Sequence, residues 1–203
     1  IHTPVGTIIH TGDYKIDDTP VIGKPYDLAT LGRIGDEGVL ALLCDSTNAT
    51  VPGRTPSEMA VIPAFEEIFE QADGRLFIST FSSSLHRLQI VFDIAHQFGR
   101  KVCVIGRSMI KNVEIAEEQG LLKIPHNTAI DLSGSRALDD DEVCYLVTGS
   151  QGEMRAALWN MATANFKGIE IEQGDTVVLS ARIIPGNEKG ISRMIGHLYK
   201  RGA

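Results

Sequence analysis

The chain has 203 residues, 43% of them hydrophobic and 22% charged. These are ordinary proportions for a globular protein with a sizeable core, and they exclude a disordered or collagen-like chain. The formal net charge of −7 excludes nucleic-acid binding through bulk positive charge and leaves only a local patch or a metal for such contact.

In chain order, Ile1–His10 reads as β-rich, with Pro4-Val5-Gly6 as a turn between short strands. Residues 14–36, rich in Gly, Pro and Asp, read as a loop. Val39–Cys44 is the longest apolar run. It is far short of the ~20 residues that span a bilayer, and it suits a buried strand. A boundary is placed near Val51-Pro52-Gly53, giving domains 1–52 and 53–203. Thr55-Pro56-Ser57-Glu58 has the form of a capping box with proline at the first helical position. Val61, Ile62, Phe65, Ile68 and Phe69 continue it as one apolar stripe.

Leu76–Thr80, Val102–Ile105, Val143–Thr148 and Thr176–Ser180 read as further strands. They are nearly continuous in Val, Ile and Leu, the pattern of strands buried on both faces. Helices are expected between them: one from about Leu85 to a stop at Gly99, one over Ser108–Gln119, one over Glu153–Ala164 and a last over Asn187–Lys200. Such alternation predicts an α/β domain with a parallel, doubly wound sheet.

Cys44, Cys103 and Cys144 lie in apolar runs. Three buried thiols fit a reducing cytoplasm better than a disulfide framework. No stretch of these residues reads as a signal peptide with a charged n-region. The histidines form no H-x-H or H-E-x-x-H cluster, and the cysteines lack zinc-knuckle spacing. The chain begins without Met and stops on Arg201-Gly202-Ala203, where the alternation calls for another strand. It reads as a piece of something longer.

In a parallel α/β sheet, ligands bind beyond the carboxyl ends of the strands. Each turn there is small and polar, and several open a helix. Short turns of this kind end in Ser, Asn or Asp because those residues cap helices. With Arg87 and Arg107 among them, a phosphate-bearing ligand is the competing reading. No turn is a P-loop or a G-x-G-x-x-G. Asp13 and Asp45 each end an apolar β segment. A lone aspartate there is a cap or turn residue, whereas a pair on one rim can hold or orient a metal.

Ile8-Ile9-His10-Thr11-Gly12-Asp13-Tyr14-Lys15-Ile16-Asp17 resembles the fourth metal motif of the metallo-β-lactamase fold in the ribonuclease J family. Leu42-Leu43-Cys44-Asp45-Ser46-Thr47-Asn48-Ala49 resembles the acidic motif that opens a β-CASP domain. Thr80–Arg87, Gly106-Arg107-Ser108-Met109, Thr148–Glu153 and Ile184–Glu188 resemble the later signatures of that family, in the same order. Three positions depart from the pattern: Met154 stands where proline is common, and Arg182-Ile183 stands where Ser-Pro is usual.

The resemblance implies a Rossmann-like β-CASP domain joined to a few strands of a metallo-β-lactamase domain. It implies a zinc-dependent nuclease that hydrolyses RNA, both as a 5′→3′ exonuclease and as an endonuclease. Two zinc ions, typically ~3.5–4 Å apart, would activate a bridging water. Asp13 would be a metal ligand. Asp45 would be catalytic, fixing a histidine ligand or the attacking water. Ser82, Ser83, Ser84, His86, Arg87, Arg107, Ser150, Gln151 and Asn187 would bind RNA phosphate. The histidine motifs would lie outside these residues, so His2, His10 and His197 are not counted as ligands. The chain alone would be inactive. A homodimer or tetramer in the cytoplasm, with no membrane contact, completes the expectation. A non-catalytic RNA-binding module and a hydrolase of another phosphoester remain the alternatives.

Overall fold

The computed structural model describes all of residues 1–203 and divides them into two compact units, Ile1–Ala60 and Val61–Ala203.

In the first unit β1 (His2–Thr3) pairs antiparallel with β2 (Gly6–His10). β2 then pairs parallel with β3 (Ala41–Leu43), Ile8 opposite Ala41 and His10 opposite Leu43. A parallel pair needs a crossover. Here it contains α1 (Leu28–Glu37), in a stretch the sequence marked as loop. Asp27 caps α1 by accepting from Thr30 N–H at 2.9 Å, and Gly38, at φ 98°, ends it. Gly32 and Gly35 weaken the helical signal in between.

The strand expected over Val39–Cys44 shrinks to Ala41–Leu43 and is exposed along its length, not buried on both faces. Cys44 is likewise exposed. The expected capping box does not form. Glu58–Val61 is a 3-10 turn, and the following α-helix starts only at Ile62, with Pro63 in its first turn. Glu58 Oε1, the expected partner of Thr55, instead accepts from Lys15 Nζ at 3.2 Å, and Ser57 Oγ donates to Thr19 C=O at 3.0 Å and accepts from Met59 N–H at 3.2 Å.

The second unit begins with α2 (Ile62–Gln71) and contains five strands: β4 (Leu76–Ser79), β5 (Lys101–Ile105), β6 (Ala129–Ile130), β7 (Val143–Val147) and β8 (Thr176–Leu179). All pairings are parallel, and the strand order is β6-β5-β7-β4-β8. From β4 the chain steps outward through α3 (Leu85–Gln97) to β5 and through α4 (Arg107–Glu118) to β6. It returns through α5 (Leu132–Ser135) to β7, then through α6 (Ala157–Ala162) to β8, and closes with α7 (Glu188–Arg201). Right-handed crossovers running in opposite directions lay their helices on opposite faces. The sequence missed β6 and α5, both too short to show a period. It also overextended α6, expected over Glu153–Ala164.

Side chains alternate across each strand. Phe77, Cys103, Tyr145 and Val147 pack with Leu158, Met161, Met194 and Leu198 of α6 and α7. The intervening Leu76, Ile78, Val102, Cys144 and Leu146 are buried on the other face. Leu76, Phe77 and Ile78 are each 0% exposed, worth about 1.5–3 kcal/mol apiece. Burial pushes the Cys103 thiol up to about 11 and the Cys144 thiol up to about 12, so both remain protonated and inert.

Charged clasps close the amino-terminal edge of the sheet. The Arg75 guanidinium holds Asp175 through two bonds, at 2.8 and 2.7 Å, joining the starts of β4 and β8. Buried Arg100 donates to the carbonyls of Gly74, Ala72 and Val143. No helix is long and apolar enough to cross a membrane.

Candidate nucleic-acid interface

In the first unit β2 and β3 run side by side, so the turns carrying Asp13 and Asp45 leave the same end of one small sheet. Thr11 N–H donates to Leu43 C=O at 3.0 Å, and Asp45 N–H donates to Thr11 Oγ1 at 3.1 Å. Asp45 Oδ1 accepts from the Thr47 N–H at 2.9 Å and its hydroxyl at 2.8 Å. Those two bonds, backbone first, hold the carboxyl below the usual carboxylate range, and the Tyr14 N–H adds to the effect. Asp45 therefore shapes its own turn while presenting an ionised carboxylate. Asp13 is exposed one residue beyond Gly12. Tyr14, next to it, places its hydroxyl 3.5 Å from Cys44 Sγ, which raises the phenol pKa.

No three of the chain's His, Cys, Asp and Glu side chains gather where they could hold a metal. Zinc takes three or four protein ligands, and His10 Nδ1 already accepts from Gly12 N–H at 3.0 Å. The residues present do not fit a zinc centre by themselves.

In the second unit every strand is parallel, so the loops after β4, β5, β7 and β8 share one edge. Ser82, half-buried after β4, accepts from Asn112 Nδ2 through its carbonyl at 2.9 Å and its hydroxyl at 3.2 Å. Ser83 is exposed, and Ser84 stands at the N-cap of α3 without a side-chain cap bond. His86 and Arg87 lie in the first turn of α3, both half-buried. The Arg87 guanidinium donates to the Ser180 carbonyl at 3.2 Å and to its hydroxyl, tying β4's helix to the end of β8. Arg107 opens α4 and is exposed. Ser150 and Gln151 after β7 are each only 4% exposed. Asn187 stands at the N-cap of α7, but its side chain reaches Gln151 instead of the helix.

The sequence reasoning passed over Arg155 and Arg182, exposed in the loops after β7 and β8. The cations named there were Arg87 and Arg107, and Arg182 was marked only as a departure from the family pattern. A count of every cation between strand end and helix start would have found both.

A parallel five-stranded sheet flanked by helices, with polar loops along its carboxyl edge, is a Rossmann-like α/β domain. Residues 73–198 match the family described as "Ribonuclease J, beta-CASP domain", and the chain belongs to it. Over all 203 residues it is 47% identical to the ribonuclease J of a Synechocystis species, 46% to that of Helicobacter pylori and 45% to that of Thermus thermophilus. It covers 32%, 29% and 35% of those proteins, so the chain spans about a third of their length.

Proposed function

We propose that this chain is the RNA-gripping portion of a longer, zinc-dependent ribonuclease J-type hydrolase that cleaves RNA phosphodiesters both as a 5′→3′ exonuclease and as an endonuclease. The observation that carries the reading is the shared edge: Ser83, His86, Arg87, Arg107, Ser150, Gln151 and Asn187 all follow carboxyl ends of parallel strands in one sheet. Residues 1–52 would belong to the metallo-β-lactamase part and 53–203 to the β-CASP domain. Asp13 would give one ligand to a zinc pair, the other ligands coming from the rest of the longer protein. Asp45 would orient the metal-bound machinery through its carboxylate. Ser82 and Ser84 complete the phosphate-binding set with the residues of the edge. The working protein would be a cytoplasmic homo-oligomer, and the isolated chain would be inactive.

The net charge of −7 does not oppose this, because an RNA groove needs only local positive potential. The test is RNA affinity of the full-length protein against salt. Arg107→Ala should flatten the log–log slope by about one unit. Asp45→Ala should lower turnover strongly while keeping most RNA affinity, and Asp13→Ala should abolish cleavage. An unchanged salt slope together with undiminished cleavage in these variants would overturn the reading.

A further inference from the structure

Gln151 carries the most heavily used side-chain amide on the carboxyl edge. Its Nε2 donates to Arg182 C=O at 2.9 Å. Its Oε1 accepts from Ile184 N–H at 2.9 Å and from Asn187 Nδ2 at 3.3 Å. Its own N–H donates to Glu153 Oε2 at 3.0 Å. A single side chain, 4% exposed, thus fixes both ends of a loop more than 30 residues away in sequence. The neighbouring Gly152, at φ 72°, lies so close to α7 that a Cβ there would meet Gly190 and sit 2.5 Å from Ile191 N. The β7 turn and the loop before α7 are therefore built against each other. The loop that Gln151 holds exposes Arg182, Ile183 and Ile184. Both Oε1 lone pairs and one of the two Nε2 hydrogens are spent on this loop, so the buried amide serves the loop and not RNA.

We propose that Gln151 is a positioning residue for RNA: it holds the Ala181–Asn187 loop so that Arg182 meets the phosphodiester backbone. The inference rests on the reading of this edge as RNA-facing. It replaces direct RNA contact by Gln151 with action through Arg182.

The experiment is a double-mutant cycle in the full-length protein with a 5′-phosphorylated RNA, reading KM, kcat and the salt slope of binding. Arg182→Ala should flatten the slope by about one unit. Gln151→Leu should do the same, raise KM about tenfold, as expected for lost charge-assisted contact, and leave kcat within about twofold. The double variant should be no worse than either single one, because both act on one contact. Hydrogen exchange at the Ile184 amide should quicken in Gln151→Leu. If that variant does not fold, Gln151→Met serves in its place, since it is closer to the amide in length and removes the same three bonds without adding a charge.

A Gln151 variant that shifts the unfolding midpoint but leaves KM and slope unchanged would overturn the proposal, and so would additive effects in the double variant. A flattened slope for Arg107→Ala with none for Arg182→Ala overturns the proposal alone. Unchanged slopes for both arginine variants overturn the RNA-facing reading itself.

Discussion

The Asp45 backbone N–H donates to the Thr11 hydroxyl at 3.1 Å, across neighbouring parallel strands. This bond locks the turn after β3 to the turn after β2, and with it the segments that carry Asp45 and Asp13. Thr11→Val keeps the shape and removes the acceptor. It should cost about 1 kcal/mol, read as a lower urea midpoint and faster exchange at the Asp45 amide, and Thr11→Ser should restore both. Unaltered exchange at Asp45 in the valine variant would show that the bond contributes nothing.

Thr47 holds the Asp45 carboxyl below its ordinary value. For a depressed carboxylate, the stabilisation is present above the unfolded value of about 3.9 and is lost as pH falls through the lower folded value. Thr47→Val removes the hydroxyl bond and leaves the backbone one. The Asp45 carboxyl should then titrate at higher pH, and less acid should be needed to loosen the turn. Carbon NMR of the side chain checks this directly, and superimposable titration curves would contradict it.

At the opposite edge of the larger sheet, Arg75 is 14% and Asp175 4% exposed at the side chain, and they meet through a two-pronged contact. Asp175 also accepts from Glu172 N–H at 2.7 Å. Without Asp175, Arg75 keeps only the exposed carboxylates of Glu172 at 3.4 Å and Asp140 at 4.0 Å, so most of its compensation is lost. Asp175→Ala should cost about 3 kcal/mol in urea unfolding. The paired replacement Arg75→Met with Asp175→Ala should recover part of that loss. A loss no larger than that of an exposed pair such as Arg33–Glu37 would mean the clasp is idle.

Metal analysis gives a separate test. One exposed carboxylate at Asp13 does not satisfy zinc. The isolated chain, dialysed against buffer after zinc loading, should retain far less than one equivalent by atomic emission. Stoichiometric zinc that disappears in Asp13→Ala would show that these residues complete a site on their own.

Much of the larger unit is legible in the sequence. The runs at Leu76, Val102, Val143 and Thr176 are strands because they are apolar on both faces. The 3.6-residue stripes at Phe65–Phe69 and Leu88–Ala95 are helices because they cover those faces. Motif order alone pointed to the ribonuclease J family, which the match over residues 73–198 shows. Local signals misled where local chemistry had a tertiary competitor. Glu58 accepts from Lys15 at 3.2 Å instead of closing a box with Thr55. Ser84 and Asn187 occupy N-cap positions without side-chain cap bonds, Asn187 reaching Gln151 instead.

Only the tertiary structure decided what the polar edge residues do. The strand order β6-β5-β7-β4-β8 sets β7 beside β4 and β4 beside β8, a neighbourhood that no sequence spacing encodes. That order brings Arg87 to Ser180 and Gln151 to the Ala181–Asn187 loop. Periodicity reports which face of an element is apolar. It carries nothing about which distant loop will accept a side chain's hydrogen bond, because that depends on how the crossovers stack the strands.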